Sequence, residues 1–321
     1  MTTRTMRAIR QSEFGDASVL HIEQVPVPEP LPTEVRVRVF AAGVNPVDWK
    51  TRAGSGMAGV LRELPFGMGW DVSGVVDAVG FGVTTLKAGD EVYGMPWFPR
   101  EASAYSEYVT APSRHFALKP TSISHIEAAG APLAALTAWQ AIVDTAKVEP
   151  GQRVLVHAAA GGVGHIAVQI AVALGATVIG TGSAAREAFV RSLGAQEFID
   201  YRADRFEEHV KNVDVVIDLI GDADQTALRS VDTLAPGGTL VGIPGGVGPD
   251  VAAAAEARGV HATGFLVEPD HTALAHIAKL IDAQKIRVVI QEVFPLERAG
   301  EAHLSGESGR TQGKLVIEVR R

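Results

Sequence analysis

The chain of 321 residues contains no cysteine. This absence excludes disulfide bonds, zinc sites with thiolate ligands, iron–sulfur clusters and cysteine nucleophiles. Basic character is also scarce, because 29 lysine and arginine residues stand against 37 aspartate and glutamate residues, for a net charge of −8. Nucleic-acid binding depends on neutralising phosphates, so we expect no nucleic-acid partner.

Long hydrophobic runs are missing as well, since no apolar stretch reaches the roughly 18 to 20 residues that a bilayer requires. The segment Met1–Arg7 lacks the apolar core of a secretory signal. We therefore expect a cytoplasmic protein with no membrane partner. Hydrophobic residues make up 46% of the chain, which is typical of a globular protein. The length suggests about two domains.

The pattern of the chain changes near residue 126. Before it, short alternating strands such as Val35–Val39 and frequent glycines predict a small barrel-like β unit. After it, apolar strands alternate with helices, which predicts a doubly wound parallel sheet. The predicted strands are 153–157, 177–180, 213–218 and 239–243, and the predicted helices are 163–174, 184–192, 205–211 and 225–233. A helix at 272–283 and strands at 288–294 and 314–319 follow.

A glycine-rich turn follows the strand around Val154–Val156 and leads directly into a helix. Glycines there let a dinucleotide pyrophosphate approach the backbone, and the helix N-terminus supplies free N–H groups. We therefore assign Gly161, Gly162 and Val163 to a dinucleotide site, although Ala159 stands where the usual G-x-G-x-x-G motif has its first glycine. A tight turn that only packs helix against strand is the alternative.

The end of the second strand of this unit indicates which dinucleotide binds. NAD-specific sites place a carboxylate there for the ribose hydroxyls, but this chain continues from Gly180 to Arg186 without one. Ser183 can donate to a phosphate and Arg186 supplies a bidentate cation, so we predict NADPH. A solvated charge on a helix face is the alternative for Arg186.

Seven short segments occur in an order and spacing typical of one family. They are Ala42–Asp48, Gly69–Gly74, Gly89–Gly94, Gly151–Gln169, Phe198–Tyr201, Pro236–Val241 and Gly313–Val316. Over nearly its whole length the chain resembles the medium-chain dehydrogenase/reductase superfamily, in its zinc-free quinone oxidoreductase (zeta-crystallin-like) branch. The resemblance implies an α/β protein with a GroES-like β-barrel domain, residues 1–126 plus 268–321, and a Rossmann NADPH-binding domain, residues 127–267.

The resemblance also concerns metal binding. Where zinc-containing relatives carry their ligands, this chain has Asn45, Trp70 and either Leu133 or Ala134, none of which is a plausible zinc ligand. We therefore expect no zinc, and no alcohol oxidation that depends on a Lewis acid.

Further cofactor contacts follow from the resemblance and from strand ends. The resemblance places Asn45 near the nicotinamide, Thr137 in the cofactor cleft, Tyr201 with Arg186 beside the 2′-phosphate, and Lys314, after Gly313, on the nucleotide. Open α/β sheets bind ligands at the carboxyl edge of their strands. At that edge Gly180 ends the second strand, 177–180. Gly221 comes at the end of the strand 213–218, and Pro244 at the end of the strand 239–243, which the resemblance makes the fourth and fifth of the sheet. Phe265 and Leu266 end the sixth.

The predicted catalytic residues are Asn45 and Asp48. A turn cap before Pro46 is the alternative for Asn45, and an ordinary helix-start carboxylate is the alternative for Asp48. Trp70 and Trp97 are predicted to line the acceptor pocket, although a core role for Trp70 stays open. Candidate proton donors are water or a tyrosine, namely Tyr93, Tyr105 or Tyr108.

These features predict a zinc-independent oxidoreductase that transfers a hydride from NADPH to a quinone or a related α,β-unsaturated carbonyl. The alternatives are a dedicated 2-alkenal or enone reductase, and a non-catalytic NADPH-binding sensor or structural protein. Relatives of this kind usually pair through the nucleotide-domain sheet, so we expect a homodimer.

Overall fold

The computed structural model describes residues 4–61, 63–221 and 223–320. It divides into two compact units. Unit 1 contains the described residues up to Leu136 and from Glu268 onward, and unit 2 runs from Thr137 to Val267.

Unit 1 contains two β-sheets. Its strands are β1 Thr5–Gln11, β2 His21–Pro26, β3 Glu34–Val44, β4 Phe66–Gly67, β5 Asp71–Val79, β6 Glu91–Gly94, β7 Tyr108–Pro112, β8 Phe116–Leu118, β15 Ile290–Pro295 and β16 Lys314–Glu318. The smaller sheet has the order β2-β1-β4, and the larger has the order β15-β16-β3-β5-β6-β8 with β7 also paired to β3. Strand β3 pairs antiparallel with β5, β7 and β16, so it is central to the larger sheet.

The alternation at Val35, Val37 and Val39 has its expected physical cause, because all three side chains are fully buried in the core of unit 1. Unit 1 also contains helices between its strands. They are α1 Pro46–Arg52, α2 Ala58–Leu61, α3 His125–Ala129, α10 His271–Asp282 and α11 Ala299–Glu307, with α4 Pro132–Trp139 crossing into unit 2. The first segment of unit 1 ends at Leu136, and α3 within it packs against β3 and β5.

Unit 2 is built on one parallel sheet of six strands in the order β11-β10-β9-β12-β13-β14. The strands are β9 Arg153–Val156, β10 Thr177–Gly182, β11 Glu197–Asp200, β12 Val213–Asp218, β13 Leu234–Gly242 and β14 His261–Gly264. The intervening helices are α5 Gly164–Ala173, α6 Glu187–Ser192, α7 Phe206–His209, α8 Thr226–Val231 and α9 Pro249–Arg258. All strand pairs are parallel, which confirms the predicted doubly wound α/β architecture.

Two details depart from the sequence-based expectations. Strand β10 continues to Gly182, so Gly180 lies within the strand and not at its predicted end. The helices α9 and α11 were not predicted. Helix α9 is rich in alanine and has no apolar stripe. Helix α11 has no apolar stripe either, because its few apolar residues are interrupted by Gly300, Ser305 and Gly306.

Among the residues that the structure describes, none of the helices has the length and apolar character required to cross a membrane.

Candidate functional site

The glycine-rich turn of unit 2 connects β9 to α5. Ala158 adopts a left-handed conformation with φ 46°, and the N–H of Ala159 donates to the Thr181 carbonyl oxygen at 2.9 Å. A Cβ atom on Gly164 would lie 2.2 Å from the carbonyl oxygen of Ala158, and one on Gly180 would lie 2.6 Å from Cγ1 of Val190. Glycine at position 164 therefore keeps the turn this tight, and glycine at position 180 leaves room for the Val190 side chain beside β10.

The N-terminus of α5 leaves donors available for a ligand. Within the described residues, no hydrogen bond is assigned to the backbone N–H groups of Gly162, Val163 and Gly164. The first turn of α5 carries no acidic side chain and no side-chain cap. Free N–H groups at the positive end of a helix dipole suit a pyrophosphate. The predicted Gly161, Gly162 and Val163 thus lie on a turn that fits a dinucleotide.

The second strand and its neighbour bring the predicted 2′-phosphate residues to one edge. Gly182 of β10 is the register partner of Asp200 of β11, so Ser183 and Tyr201 leave the sheet side by side. The backbone N–H of Arg186 donates to the carbonyl oxygen of Ser183 at 2.8 Å, which places Arg186 one tight turn further. Tyr201 is 55% exposed, as a residue available to a ligand should be.

A neighbour of Tyr201 was missed by the sequence analysis. The guanidinium of Arg202 lies 5.7 Å from the centre of the Tyr201 ring, and its Nε donates to the tyrosine hydroxyl at 3.3 Å. The edge therefore carries a second arginine beside Arg186. An arginine directly after a strand is a signal that could have indicated Arg202. The segment around Tyr201 and Arg202 is short, however, and has no clear periodicity.

The remaining predicted residues of unit 2 lie at the ends of its central and edge strands. Gly221 follows β12 with φ 77°, and a Cβ atom there would lie 2.9 Å from the carbonyl oxygen of Pro244. Phe265 and Leu266 follow β14, and Leu266 is 52% exposed. Thr137 is buried in α4. Gly221 and Pro244 are thus direct neighbours.

His157, directly before the turn, has a structural place. Its Nδ1 lies 3.0 Å from Oγ1 of Thr181 and its Nε2 lies 2.9 Å from Oγ of Ser230. Burial lowers the pKa of His157 to about 3, so the ring is neutral at physiological pH. It connects β9 with β10 and α8 and bears no charge for a phosphate.

In unit 1, Asn45 begins helix α1, with Pro46 at the first helical position. Its backbone N–H donates to Oδ2 of Asp48 at 2.6 Å, which is the acidic half of a capping box. The side chain of Asn45 instead donates from Nδ2 to Oδ2 of Asp71 at 2.8 Å and accepts at Oδ1 from Nζ of Lys314. Asn45 is therefore a turn residue through its backbone and a network residue through its side chain.

Asp71 and Lys314 complete this network. The Lys314 ammonium also donates to the carbonyl oxygen of Val44 at 2.9 Å and lies 4.0 Å from Oδ2 of Asp71. Oδ1 of Asp71 accepts from the backbone N–H of Leu133 at 2.8 Å. Burial raises the pKa of Asp71 and lowers that of Lys314, while their mutual attraction acts against both shifts. Each charge thus depends on the other.

Two glycines allow this cluster to form. A Cβ atom on Gly43 would lie 2.9 Å from Oδ2 of Asp71 and 2.3 Å from the carbonyl oxygen of Ala129. Gly313 has φ 71°, and a Cβ atom there would lie 2.3 Å from the carbonyl oxygen of Val289. Gly313 lets the chain enter β16 in this tight space, so that Lys314 comes to lie inside unit 1.

Asp48 is fully buried and accepts at Oδ2 from the hydroxyl of Tyr105 at 2.8 Å as well as from Asn45. Burial and the nearby Asp71 raise its pKa, while the two hydrogen bonds and Lys314 lower it, and the net result is a pKa of about 7. The pKa of Tyr105 lies well above its usual value because of burial and the Asp48 charge. Tyr105 therefore remains a hydrogen-bond donor.

The predicted pocket tryptophans are hydrogen-bonded to the backbone of unit 1. Trp70 is only 2% exposed, and its Nε1 donates to the carbonyl oxygen of Arg100 at 2.6 Å. Trp97 is half-buried, with φ 57°, and its Nε1 donates to the carbonyl oxygen of Thr110 at 2.7 Å. Trp70 thus has the packing of a core residue.

The other two candidate tyrosines have partners of their own. The hydroxyl of Tyr93 donates to the carbonyl oxygen of Leu274 at 2.6 Å, and that of Tyr108 accepts from Arg4. Sequence reasoning missed Asp71 as a member of the network with Asn45 and Lys314. It also missed His303, which is buried with Nε2 3.4 Å from the Tyr105 hydroxyl. Asp71 follows Trp70 in the family segment Gly69–Gly74, but the neighbouring residues in the sequence do not show that its carboxylate meets Asn45 and Lys314, which lie far away along the chain.

Comparison with known proteins identifies the family. Residues 31–121 match the alcohol dehydrogenase GroES-like domain, and residues 193–317 match a family described as zinc-binding dehydrogenase. The human mitochondrial NAD(P)H oxidoreductase RTN4IP1 is 35% identical over 90% of this chain and 82% of its own. The chloroplastic NADPH-dependent alkenal/one oxidoreductase of Arabidopsis thaliana is 34% identical over 98% and 80%. The solved quinone oxidoreductase of Coxiella burnetii is 38% identical over 99% and 100%, with a TM-score of 0.93.

The chain therefore belongs to the medium-chain dehydrogenase/reductase superfamily and is an oxidoreductase of its quinone oxidoreductase branch. The predicted resemblance and the GroES-like and Rossmann architecture are confirmed.

The residues of this chain do not fit the zinc ion that one family description implies. Thiolate ligands are impossible without cysteine. Oδ1 of Asn45 accepts from Lys314, and Oδ2 of Asp71 accepts from Nδ2 of Asn45 and lies 4.0 Å from the Lys314 ammonium. A cation would have to displace the lysine ammonium. Among the described residues, no group of three or more His, Cys, Asp and Glu side chains is placed to hold a metal ion.

Proposed function

We propose that this protein is a zinc-independent, NADPH-dependent oxidoreductase that reduces a quinone or a related α,β-unsaturated carbonyl. The observation that carries the proposal is the edge of unit 2 where Ser183, Arg186, Tyr201 and Arg202 follow β10 and β11. No carboxylate follows β10 there, and a 2′-phosphate needs donors and cations.

The glycine turn and this edge would hold the two phosphate regions of NADPH. The free N–H groups of Gly162, Val163 and Gly164 would donate to the pyrophosphate, and Arg186 would pair with the 2′-phosphate. When bound, the cofactor supplies a hydride. Gly221, Pro244, Phe265 and Leu266 lie at the carboxyl ends of β12, β13 and β14, the side on which such sheets bind ligands.

For unit 1 we propose that Asn45 and Asp48 serve the acceptor reaction, as the family resemblance implies. Hydride addition leaves an anion on the acceptor oxygen, which a positioned polar group can stabilise. Quinones and enones delocalise this charge and therefore need no Lewis acid. Trp97 is the better pocket candidate of the two tryptophans because Trp70 is buried and hydrogen-bonded within unit 1.

The acceptor is assigned from chemistry and from relatives. The Coxiella burnetii structure is named a quinone oxidoreductase, and the Arabidopsis relative is named an alkenal/one oxidoreductase. We place quinones first because a quinone needs no positioned donor at carbon, and Tyr93 and Tyr108 are engaged in other bonds.

Assembly and location are proposals as well. The edge strands β11 and β14 can each accept another strand, so we propose a homodimer through one sheet edge, which light scattering would test. A cytoplasmic location stays a prediction; the human and Arabidopsis relatives are named mitochondrial and chloroplastic.

Oxidation of NADPH, followed by its absorbance, tests the function directly. The acceptors are 1,4-benzoquinone, 9,10-phenanthrenequinone and a short 2-alkenal, each with NADPH and with NADH. We expect turnover of the quinones with NADPH. Turnover of the alkenal alone would favour the enone reductase, and tight NADPH binding without turnover of any acceptor would favour the non-catalytic alternative.

A further inference from the structure

Four buried side chains of unit 1 form a continuous hydrogen-bonded chain that ends on Asp48. Nη1 of Arg52 lies 3.3 Å from Nδ1 of His303, Nε2 of His303 lies 3.4 Å from the Tyr105 hydroxyl, and that hydroxyl lies 2.8 Å from Oδ2 of Asp48. Asp48, Tyr105 and His303 are fully buried, and Arg52 is 3% exposed. The residues come from α1, α11 and the loop before β7.

The direction of every bond in this chain is fixed by chemistry. Arginine has only donors, so Nδ1 of His303 accepts. The proton of the neutral ring is then on Nε2, from which it is donated to Tyr105. Burial and the Arg52 charge lower the pKa of His303 to about 3, so the ring is neutral. All donors therefore point from the Arg52 cation toward the Asp48 carboxylate.

We propose that Tyr105 and His303 are positioning residues that hold Asp48 in its ionised form and, through the capping hydrogen bond, hold the Asn45 backbone in place for the reaction. Asp48 accepts both the Asn45 N–H and the Tyr105 hydroxyl at the same oxygen, Oδ2. Protonation of Asp48 weakens both bonds. The inference rests on the proposed function, in which Asn45 serves the acceptor.

The other charges around Asp48 do not replace the hydrogen bond from Tyr105. Asp71 on β5 disfavours its ionisation, and Lys314 on β16 favours it but is bound to Asn45 and Val44. At the far end, Nη2 of Arg52 donates to Glu307 at 2.5 Å, which moderates the cation. Glu307 is thus connected to the hydrogen-bonded series only through Arg52.

The second oxygen of Asp48 makes the dependence strong. Oδ1 is buried and has no hydrogen-bond partner within the described part of the chain. The carboxylate therefore relies on its Oδ2 donors, and no other described donor takes the place of a lost tyrosine hydroxyl. Tyr105 can be changed without a new clash, since phenylalanine keeps the ring that packs over Gly69.

The experiment compares Tyr105→Phe with Tyr93→Phe. Tyr93 is equally buried in unit 1, but its hydroxyl donates to the Leu274 carbonyl outside this chain. The acid limb of the kcat profile for NADPH-dependent quinone reduction should lie near pH 7 in the natural protein, since the Asp48 pKa is about 7. In Tyr105→Phe it should move up by about one to two pH units, with KM for NADPH unchanged. Tyr93→Phe should leave it in place.

His303 supplies a second pair of variants. His303→Leu removes the donor to Tyr105 and should move the acid limb in the same direction by less, while His303→Gln keeps an N–H donor and should restore it. An acid limb that stays at the natural position in both Tyr105→Phe and His303→Leu would overturn the proposal. So would an equal shift in Tyr93→Phe.

Infrared titration of the apo protein separates this inference from the proposed function. The C=O stretch of protonated Asp48, assigned by its loss in Asp48→Asn, should appear as pH falls through about 7 and at higher pH in Tyr105→Phe. If no acceptor is reduced but this midpoint moves, the proposed function is wrong and the positioning role of Tyr105 is supported. If quinones are reduced and the midpoint does not move, the positioning role of Tyr105 is wrong.

Discussion

The side-chain amide of Asn45 donates a 2.8 Å hydrogen bond from Nδ2 to Oδ2 of Asp71, and neither residue is more than 1% exposed. Lys314 donates to the other end of the same amide. One asparagine thus connects a buried cation with a buried anion.

The first prediction concerns Lys314→Met. It leaves Asp71 buried without its cation, and breaking a buried pair costs about 3–5 kcal/mol in the free energy of unfolding. Urea denaturation followed by fluorescence measures this loss. Lys285→Met, at an exposed lysine of the same unit, is the control and should change little. The double variant Lys314→Met/Asp71→Asn should recover part of the stability; an equal or larger loss would contradict the pairing.

The second prediction concerns the pH dependence of stability. The pKa of Asp48 in the folded protein is raised from 3.8 to about 7, so between these values the folded state binds more protons than the unfolded state. The contribution of Asp48 to stability therefore falls as pH rises from about 4 to about 7 and is constant above that. Thermal unfolding across this range should show a slope that Asp48→Asn reduces. An unchanged slope in Asp48→Asn would argue against the raised pKa.

The third prediction concerns the choice of dinucleotide. Arg186→Ala removes a cation from the proposed 2′-phosphate edge, and kcat/KM for NADPH should fall by about 10- to 100-fold, as for the loss of a charged hydrogen bond. Values for NADH should remain within about a factor of two. Arg191→Ala is the matched control, because Arg191 lies on the following turn and pairs with Glu187 at 2.7 Å. Equal losses with both cofactors would contradict the assignment.

The sequence allowed the parts of the fold with strong periodicity to be predicted. The buried strands around Val154–Val156 and Val213–Asp218 and the glycine turn between β9 and α5 were predictable because strand, turn and helix are adjacent in the chain. Helix α11 was not predictable, because its buried face consists of small residues and His303. An apolar stripe is the signal that identifies a helix, and α11 has none.

The candidate site was predictable only where it is local. Asn45 and Asp48 share one capping box, so their proximity follows from spacing alone. The hydrogen bonds to Asp71, Tyr105 and Lys314 join residues that are 26, 57 and 269 positions apart. Such pairings depend on strand register across the larger sheet, which one sequence does not reveal.

The fourth prediction concerns the glycine turn itself. Gly164→Ala places a Cβ atom 2.2 Å from the carbonyl oxygen of Ala158, and this backbone atom can yield only if the turn opens. The N–H groups that precede α5 then lose their arrangement, so NADPH binding by fluorescence or calorimetry should weaken by at least about tenfold, the equivalent of one hydrogen bond to a charged group. Gly248→Ala is the control, because a Cβ atom on Gly248 meets nothing within 4 Å. Circular dichroism establishes that both variants are folded. Unchanged NADPH affinity in folded Gly164→Ala would show that the turn does not hold the pyrophosphate.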